Sequence, residues 1–222
     1  MYLVFFGYGF GSVSRGGGNT YLAFLAPGIM AFQAVMAGTV GGSMLWADRR
    51  WGMLAQLLVG PFTRLEYLFG IMLTSLLWGL GGAAVMLVIA AALLGSTAST
   101  VMGALAIFGA IALGSIFFGS MMLLIAAYVK SNTAYNSVQI LLIFLVNFAS
   151  TVFYPYSSAL PAVLRVLFVV NPLTYIADTA RNGYLSSPTA TNGYEMLVLA
   201  VETVVLLVLA TRAYLRSDVS ME

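Results

Sequence analysis

The feature that most limits what this chain can fold into is the spacing of its charges. No charged residue falls between Arg15 and Asp48, none between Glu66 and Lys130, and none between Lys130 and Arg165. A helix needs about 20 apolar residues to cross the hydrocarbon of a bilayer. Each run is long enough for one crossing, and the run after Glu66 is long enough for two joined by a turn. The solvent of such a chain is mostly lipid. Composition agrees: 61% of the 222 residues are hydrophobic and 7% are charged, against roughly a quarter charged in soluble domains.

Several function classes drop out. Cysteine and histidine are both absent, which removes disulfides, thiolate chemistry, imidazole bases and the usual zinc sites. A net charge of +2 is too small for a nucleic-acid binder. A P-loop needs a glycine-rich turn ending in Lys-Ser/Thr. The one lysine is Lys130, and Ala126–Val129 before it contain no glycine. Catalytic residues, metal ligands and a nucleotide cofactor are therefore not expected in this chain. Met1–Phe10 is apolar but has no basic lead-in and no cleavage signal, so it does not read as a signal peptide.

The pattern predicts an all-α, polytopic transmembrane bundle forming a single domain over 1–222. Met1–Phe10 is too short to span at about 1.5 Å per residue and reads as the outer half of a first helix. Gly11–Thr20 is a polar loop. Full spans are expected at Tyr21–Trp46, Tyr67–Leu94, Val101–Val129, Thr133–Phe153 and Tyr194–Leu215, with a tight turn at Gly95–Thr100. Residues 154–193 hold Pro155, Pro161, Pro172 and Pro188 around short apolar pieces, and Leu160–Val170 is about half a membrane deep. Lys and Arg placement sets the orientation. Arg49, Arg50, Arg64, Lys130, Arg212 and Arg216 fall in one set of loops and outnumber Arg15, Arg165 and Arg181 in the other, so the first set is cytoplasmic.

Local chemistry singles out three places. In Asp48–Arg64 (DRRWGMLAQLLVGPFTR), Leu54, Leu57 and Leu58 share a helical face and Gly60-Pro61 ends the helix. A short amphipathic helix on the cytoplasmic side lies in the interface or docks into a partner's groove. In Asn171–Arg181 (NPLTYIADTAR), Asn171 is a good N-cap and Pro172 suits the first helical position. A helix starting just after an apolar half-span reads as a re-entrant pair, or as an ordinary capped external helix. Asp178 and Arg181 can pair at three-residue spacing. Glu202 lies inside the last span, where an ionisable group is functional, snorkels to the outer interface or pairs with a neighbour. Gln33 and Asn147 are intramembrane amides suited to helix–helix hydrogen bonds.

Small residues recur at four-residue spacing: Gly38 and Gly42; Ser75, Gly79 and Ala83; Ala110 and Gly114; Ser115 and Gly119. They predict close helix packing within a bundle, or a dimer seam. Tyr21, Trp46, Trp51, Tyr67, Tyr128, Tyr154 and Tyr156 lie near span ends and read as interface belts.

With these stretches in order, the chain resembles the permease subunit of type-2 ABC exporters, in the branch of daunorubicin-resistance and nodulation-factor permeases. YLAFLAPGIM (Tyr21–Met30) is similar to the family's second-helix opening, DRRWGMLAQLLVGPFTR to its cytoplasmic coupling helix, and NPLTYIADTAR to the external hairpin before its last helix. Asp48 stands where the family often has Glu, and Gly52 is followed by Met53, Leu54 and Ala55 rather than Thr-Leu-Glu. The resemblance implies a bacterial plasma-membrane protein working as a dimer, with ATP and Mg on a separate ATPase subunit. It implies ATPase coupling through Asp48, Arg49, Arg50, Gly52, Leu54, Leu57, Leu58, Gly60 and Pro61, and an outer gate at Asn171, Pro172, Tyr175, Asp178 and Arg181. The branch implies export of a hydrophobic small molecule or drug, with a lipid-linked glycan as the other cargo. Two different classes remain open beside it: an ion-coupled carrier using Glu202, and a non-transporting scaffold.

Overall fold

A computed structural model describes residues 18–95, 100–157, 160–185 and 190–217. The expected partial first helix at 1–10 and Arg15 lie outside these residues. Every regular element among the described residues is helical: α1 Gly18–Arg50, α2 Met53–Val59, α3 Arg64–Leu94, α4 Val101–Tyr128, α5 Asn132–Phe148, α6 Ala162–Val170, α7 Pro172–Tyr184 and α8 Ala190–Arg216. Helices α1, α3, α4 and α8 are long and apolar enough to cross a membrane, and the bent pair α6–α7 would add one more if counted as a broken span. The chain is a multi-pass membrane protein.

Local chemistry explains most boundaries. α1 runs past Trp46 through Asp48, Arg49 and Arg50 because basic residues suit a helix C-terminus and nothing breaks the backbone before Gly52. That glycine has φ +71°, a left-handed conformation that L side chains rarely adopt. α3 opens on a capping box, in which the Thr63 hydroxyl accepts from the Glu66 backbone N–H and Glu66 reaches back to the Thr63 N–H. It closes at Gly95, also left-handed at φ +66°. Thr100 caps α4 through the Gly103 N–H, 3.0 Å away.

The expected span Thr133–Phe153 differs most. α5 stops at Phe148 and is 17 residues long, about 25 Å at the helical rise and short of the roughly 30 Å hydrocarbon thickness. The reason is a local competition for backbone groups. The Ser150 hydroxyl donates to the Asn147 carbonyl at 2.7 Å, and Thr151 is drawn into contacts with α7 described below.

α1 is the centre of the bundle. It packs most extensively on α4 and α3 and also on α7, while α4 carries α7 and α8 on its other sides. Of α1's most apolar window 61% is buried, against 17% in α3 and 22% in α8. The packing is inverted relative to a soluble protein. Ser75, Gly79 and Ala83 of α3 are buried, whereas Leu77, Val85 and Val88 of the same helix face outward. Dispersion between close backbones, rather than apolar burial, holds helices together in lipid. A Cβ on Gly38 would sit 2.5 Å from the Phe118 backbone of α4, and one on Gly79 would strike the Ser115 side chain. All the small residues noted in the sequence are buried inside the chain, so they form the α1–α3–α4 seam of one bundle rather than a seam between copies.

Two of the expected belt aromatics belong to the core. Trp46 is 7% exposed and stacks on Tyr135, and the Tyr67 hydroxyl donates to Asp48 Oδ2. Trp51, Tyr128, Tyr154 and Tyr156 are exposed. Helices α5 and α6 touch the rest only lightly.

Candidate functional site

The geometry gathers the expected residues into two ends and leaves the intramembrane polar groups apart. Phe24 of α1 lies at one end and Arg50 at the other, roughly 40 Å apart at the helical rise.

At the Arg50 end, α1, α2 and the start of α3 form a tight corner. Asp48 Oδ2 accepts from the Tyr67 hydroxyl at 2.5 Å, tying α1 to α3. Arg49 is 5% exposed, and its Nη1 donates to the Ala126 carbonyl of α4 at 2.9 Å. Arg50 is exposed, its guanidinium 5.5 Å from the Trp46 ring and 5.8 Å from the Trp51 ring, in cation–π range. Gly52 then turns the chain into α2. Leu54 is buried and belongs to the apolar cluster of Leu45, Trp46 and Leu68, with Leu58 packed against it. Leu57 lines a cavity of ≈ 480 Å³ with Asp48, Phe62 and Tyr67. The leucine face of α2 therefore points into the bundle. The opposite face, Met53, Gln56 and Val59, is exposed, as are Gly60, Pro61 and Phe62; Val59 is 89% exposed. Helical spacing showed that α2 has two faces, but not which one the bundle takes.

At the Phe24 end, α6 and α7 meet at a bend of 74° around Asn171. Its Oδ1 accepts from the Leu173 N–H at 3.0 Å, and its Nδ2 donates to the carbonyls of Val146 and Ala149 at 2.7 and 2.8 Å. One side chain thus caps α7 and the last turn of α5. Pro172 occupies the first turn of α7. The Tyr175 hydroxyl donates to the Val169 carbonyl and closes the α6–α7 corner.

Arg181 is the hub of this end. Its Nη1 pairs with Asp178 Oδ1 at 2.6 Å and its Nη2 donates to the Thr151 carbonyl at 2.9 Å. The Thr151 hydroxyl donates to the same Asp178 oxygen at 2.9 Å. The guanidinium lies 3.9 Å from the centre of the Phe24 ring. One cation therefore joins α7, α1 and the segment after α5. The sequence pointed to the Asp178–Arg181 pair; it did not show Thr151 and Phe24, whose partners are distant in the chain.

The three intramembrane polar residues are not brought together. Gln33 lines an open pocket of ≈ 550 Å³ against α3 with Trp78, Gly81 and Gly82. Asn147 donates to the Ile143 carbonyl of its own helix at 2.9 Å and lines a separate ≈ 300 Å³ pocket between α1 and α5, among Phe32, Phe144, Phe148 and Phe153. Glu202 lies on α8. Glu195, seven positions earlier and so near the same face, was not singled out from the sequence. Both carboxylates are within electrostatic range of Tyr175.

A family model described as ABC-2 type transporter matches residues 1–185. The chain belongs to the ABC-2 type transporter family. Comparison with curated proteins gives no match. Proteins of the ABC-2 family are membrane transport subunits, generally without enzymatic activity of their own, and typically partner with an ATPase on a separate chain. The matched stretch of this ABC-2 permease takes in both ends just described, from Phe24 through α2 to Arg181. It ends before α8, so Glu195 and Glu202 lie outside it.

Proposed function

We propose that this permease is the membrane subunit of an ATP-driven exporter, that it works as a pair of copies, and that a separate ATPase docks on α2. The observation that carries the reading is the exposed side of α2, Met53, Gln56 and Val59 with Phe62 beyond it. It offers apolar groups in an aqueous setting at the end of the bundle rich in basic residues, which the charge asymmetry makes cytoplasmic. The inward side, anchored by Leu54, ties α2 to the corner of α1 and α3. A push on α2 is thereby delivered to the central helix, whose last turn Asp48 and Arg49 hold to α3 and α4.

At the outer end, α6–α7 acts as the gate, with Asn171 as its elbow and Arg181 as its latch to α1. The cargo is a hydrophobic small molecule. The aromatic pocket between α1 and α5 supports this, because Asn147 is the one polar side chain among its lining residues. The light packing of α5 and α6 on their own chain supports a second copy beside them.

The test is Val59→Asp in cells that co-express the cognate ATPase. The variant is expected to accumulate in the membrane at the normal level while ATPase capture and export both fall at least tenfold. Normal capture and normal export by this variant would rule out docking on α2.

A further inference from the structure

We infer that this permease holds a phosphate-bearing anion, the headgroup of an anionic phospholipid, in a basic cup at the Arg50 end of the bundle. The cup is a cavity of ≈ 550 Å³ between the ends of α1, α4 and α8, lined by Arg49, Lys130, Arg212 and Arg216. Among the described residues, no carboxylate lines it. That volume falls in the roughly 300–1,000 Å³ range of small-ligand sites.

The four cations differ in how they are held. Arg49 is buried and fixed to the Ala126 carbonyl, so it forms a rigid base. Lys130, Arg212 and Arg216 are exposed, and the ion pair among the described residues, Asp178–Arg181, lies at the other end of the chain. Arg212 and Arg216 are four residues apart on α8, where like charges repel. The carbonyl ends of α4 and α8 supply only fractional negative charge. An anion inside the cup relieves this repulsion and meets several donors at once.

Position favours a lipid over a soluble anion. Leu209 and Ala213 extend the lining of the cup toward the apolar part of α8, which gives the glycerol and upper acyl chain a place to lie. Tyr128, 74% exposed at its rim, is a residue suited to the interface. Basic pockets between helices on the cytoplasmic side bind lipid headgroups for these reasons. An acidic loop of the ATPase is the other anion within reach, but no residue of α2 lines the cup.

The test is native mass spectrometry of the full chain purified from detergent with equal phosphatidylglycerol and phosphatidylcholine, or with inorganic phosphate alone. Wild type is expected to retain phosphatidylglycerol at least tenfold over phosphatidylcholine. Arg212→Gln/Arg216→Gln should abolish that preference, and Arg165→Gln should leave it intact. The single Arg216→Gln, at the exposed end of α8, should weaken it severalfold and serves if the double variant does not fold. Equal retention of the two lipids overturns the inference, as does a preference that survives Arg216→Gln undiminished. Retention of inorganic phosphate without lipid preference assigns the cup to a soluble anion and overturns the lipid assignment. Loss of ATPase capture in the variants with lipid preference unchanged does so as well.

Discussion

Replacing Arg181 by alanine removes the hub that joins α7 to α1 and to the segment after α5. The change deletes an ion pair at 2.6 Å, hydrogen bonds to the Thr151 and Phe24 carbonyls at 2.9 and 3.4 Å, and a ring contact at 3.9 Å. It leaves Asp178 with the Thr151 hydroxyl as its remaining partner. Breaking a fully buried pair costs about 3–5 kcal/mol. The Arg181 side chain is 12% exposed and Asp178 29%, so solvent screens part of the loss and about 2–3 kcal/mol is expected. Most of that is the penalty of a stranded carboxylate. The double change Arg181→Met with Asp178→Leu removes both charges, and should lie within about 1 kcal/mol of wild type. The assay is unfolding of the purified chain in mild detergent, by SDS titration, with the single changes Arg181→Met and Asp178→Leu to complete the cycle. If Arg181→Ala costs less than about 0.5 kcal/mol, or if the double variant is as unstable as the two single changes added together, the latch does not hold the hairpin.

Other positions give separable outcomes. Leu54→Asp should lower the folded yield by destabilising the corner about 3 kcal/mol or more, whereas Val59→Asp should leave the melting temperature unchanged; a melting temperature lower for Val59→Asp than for Leu54→Asp would show that the α2 faces are assigned the wrong way round. Gly38→Leu should destabilise by at least about 1–3 kcal/mol because its Cβ meets the Phe118 backbone, while Gly109→Leu, with open space around its Cβ, should stay within about 0.5 kcal/mol of wild type; thermal unfolding compares them. Tyr67→Phe should cost about 1 kcal/mol through loss of the Asp48 hydrogen bond, read by the same unfolding assay. Glu202→Gln should leave ATP-driven export within about twofold of wild type, and a loss beyond tenfold would restore the reading of Glu202 as a proton site.

Charge-free runs and helix-end chemistry made most of the fold legible. Thr63 and Glu66, Gly95, Thr100 and Asn171 act through neighbours in sequence, so α3, α4 and α7 begin or end close to where their residues predict. The failures have a common physical origin. α5 was expected to run to Phe153, because an apolar stretch does not reveal that Ser150 and Thr151 are claimed by other partners. Trp46 and Tyr67 read as interface aromatics because their position near a span end is local, while their contacts with Tyr135 and Asp48 are set by tertiary packing. The same limit applies at the candidate sites. Asp178 and Arg181 were visible as a pair at helical spacing, but Thr151 and Phe24 were not. The leucines of α2 marked an apolar face without saying whether bundle or partner covers it. The small-residue spacing left a bundle and a dimer seam equally open, and the α1–α3–α4 packing resolves it toward the bundle.

The central place of α1 also bears on how the protein is made. Among the described residues, α1 precedes in the chain every helix that buries it, and its buried side carries Thr39 and the glycines that receive α3 and α4. During synthesis that side meets lipid, or the insertion machinery, until α4 has followed it into the bilayer. A nascent chain cut before α4 would present an unfilled groove to membrane quality control, so the step that commits this protein to survival is the arrival of α4 rather than the insertion of α1.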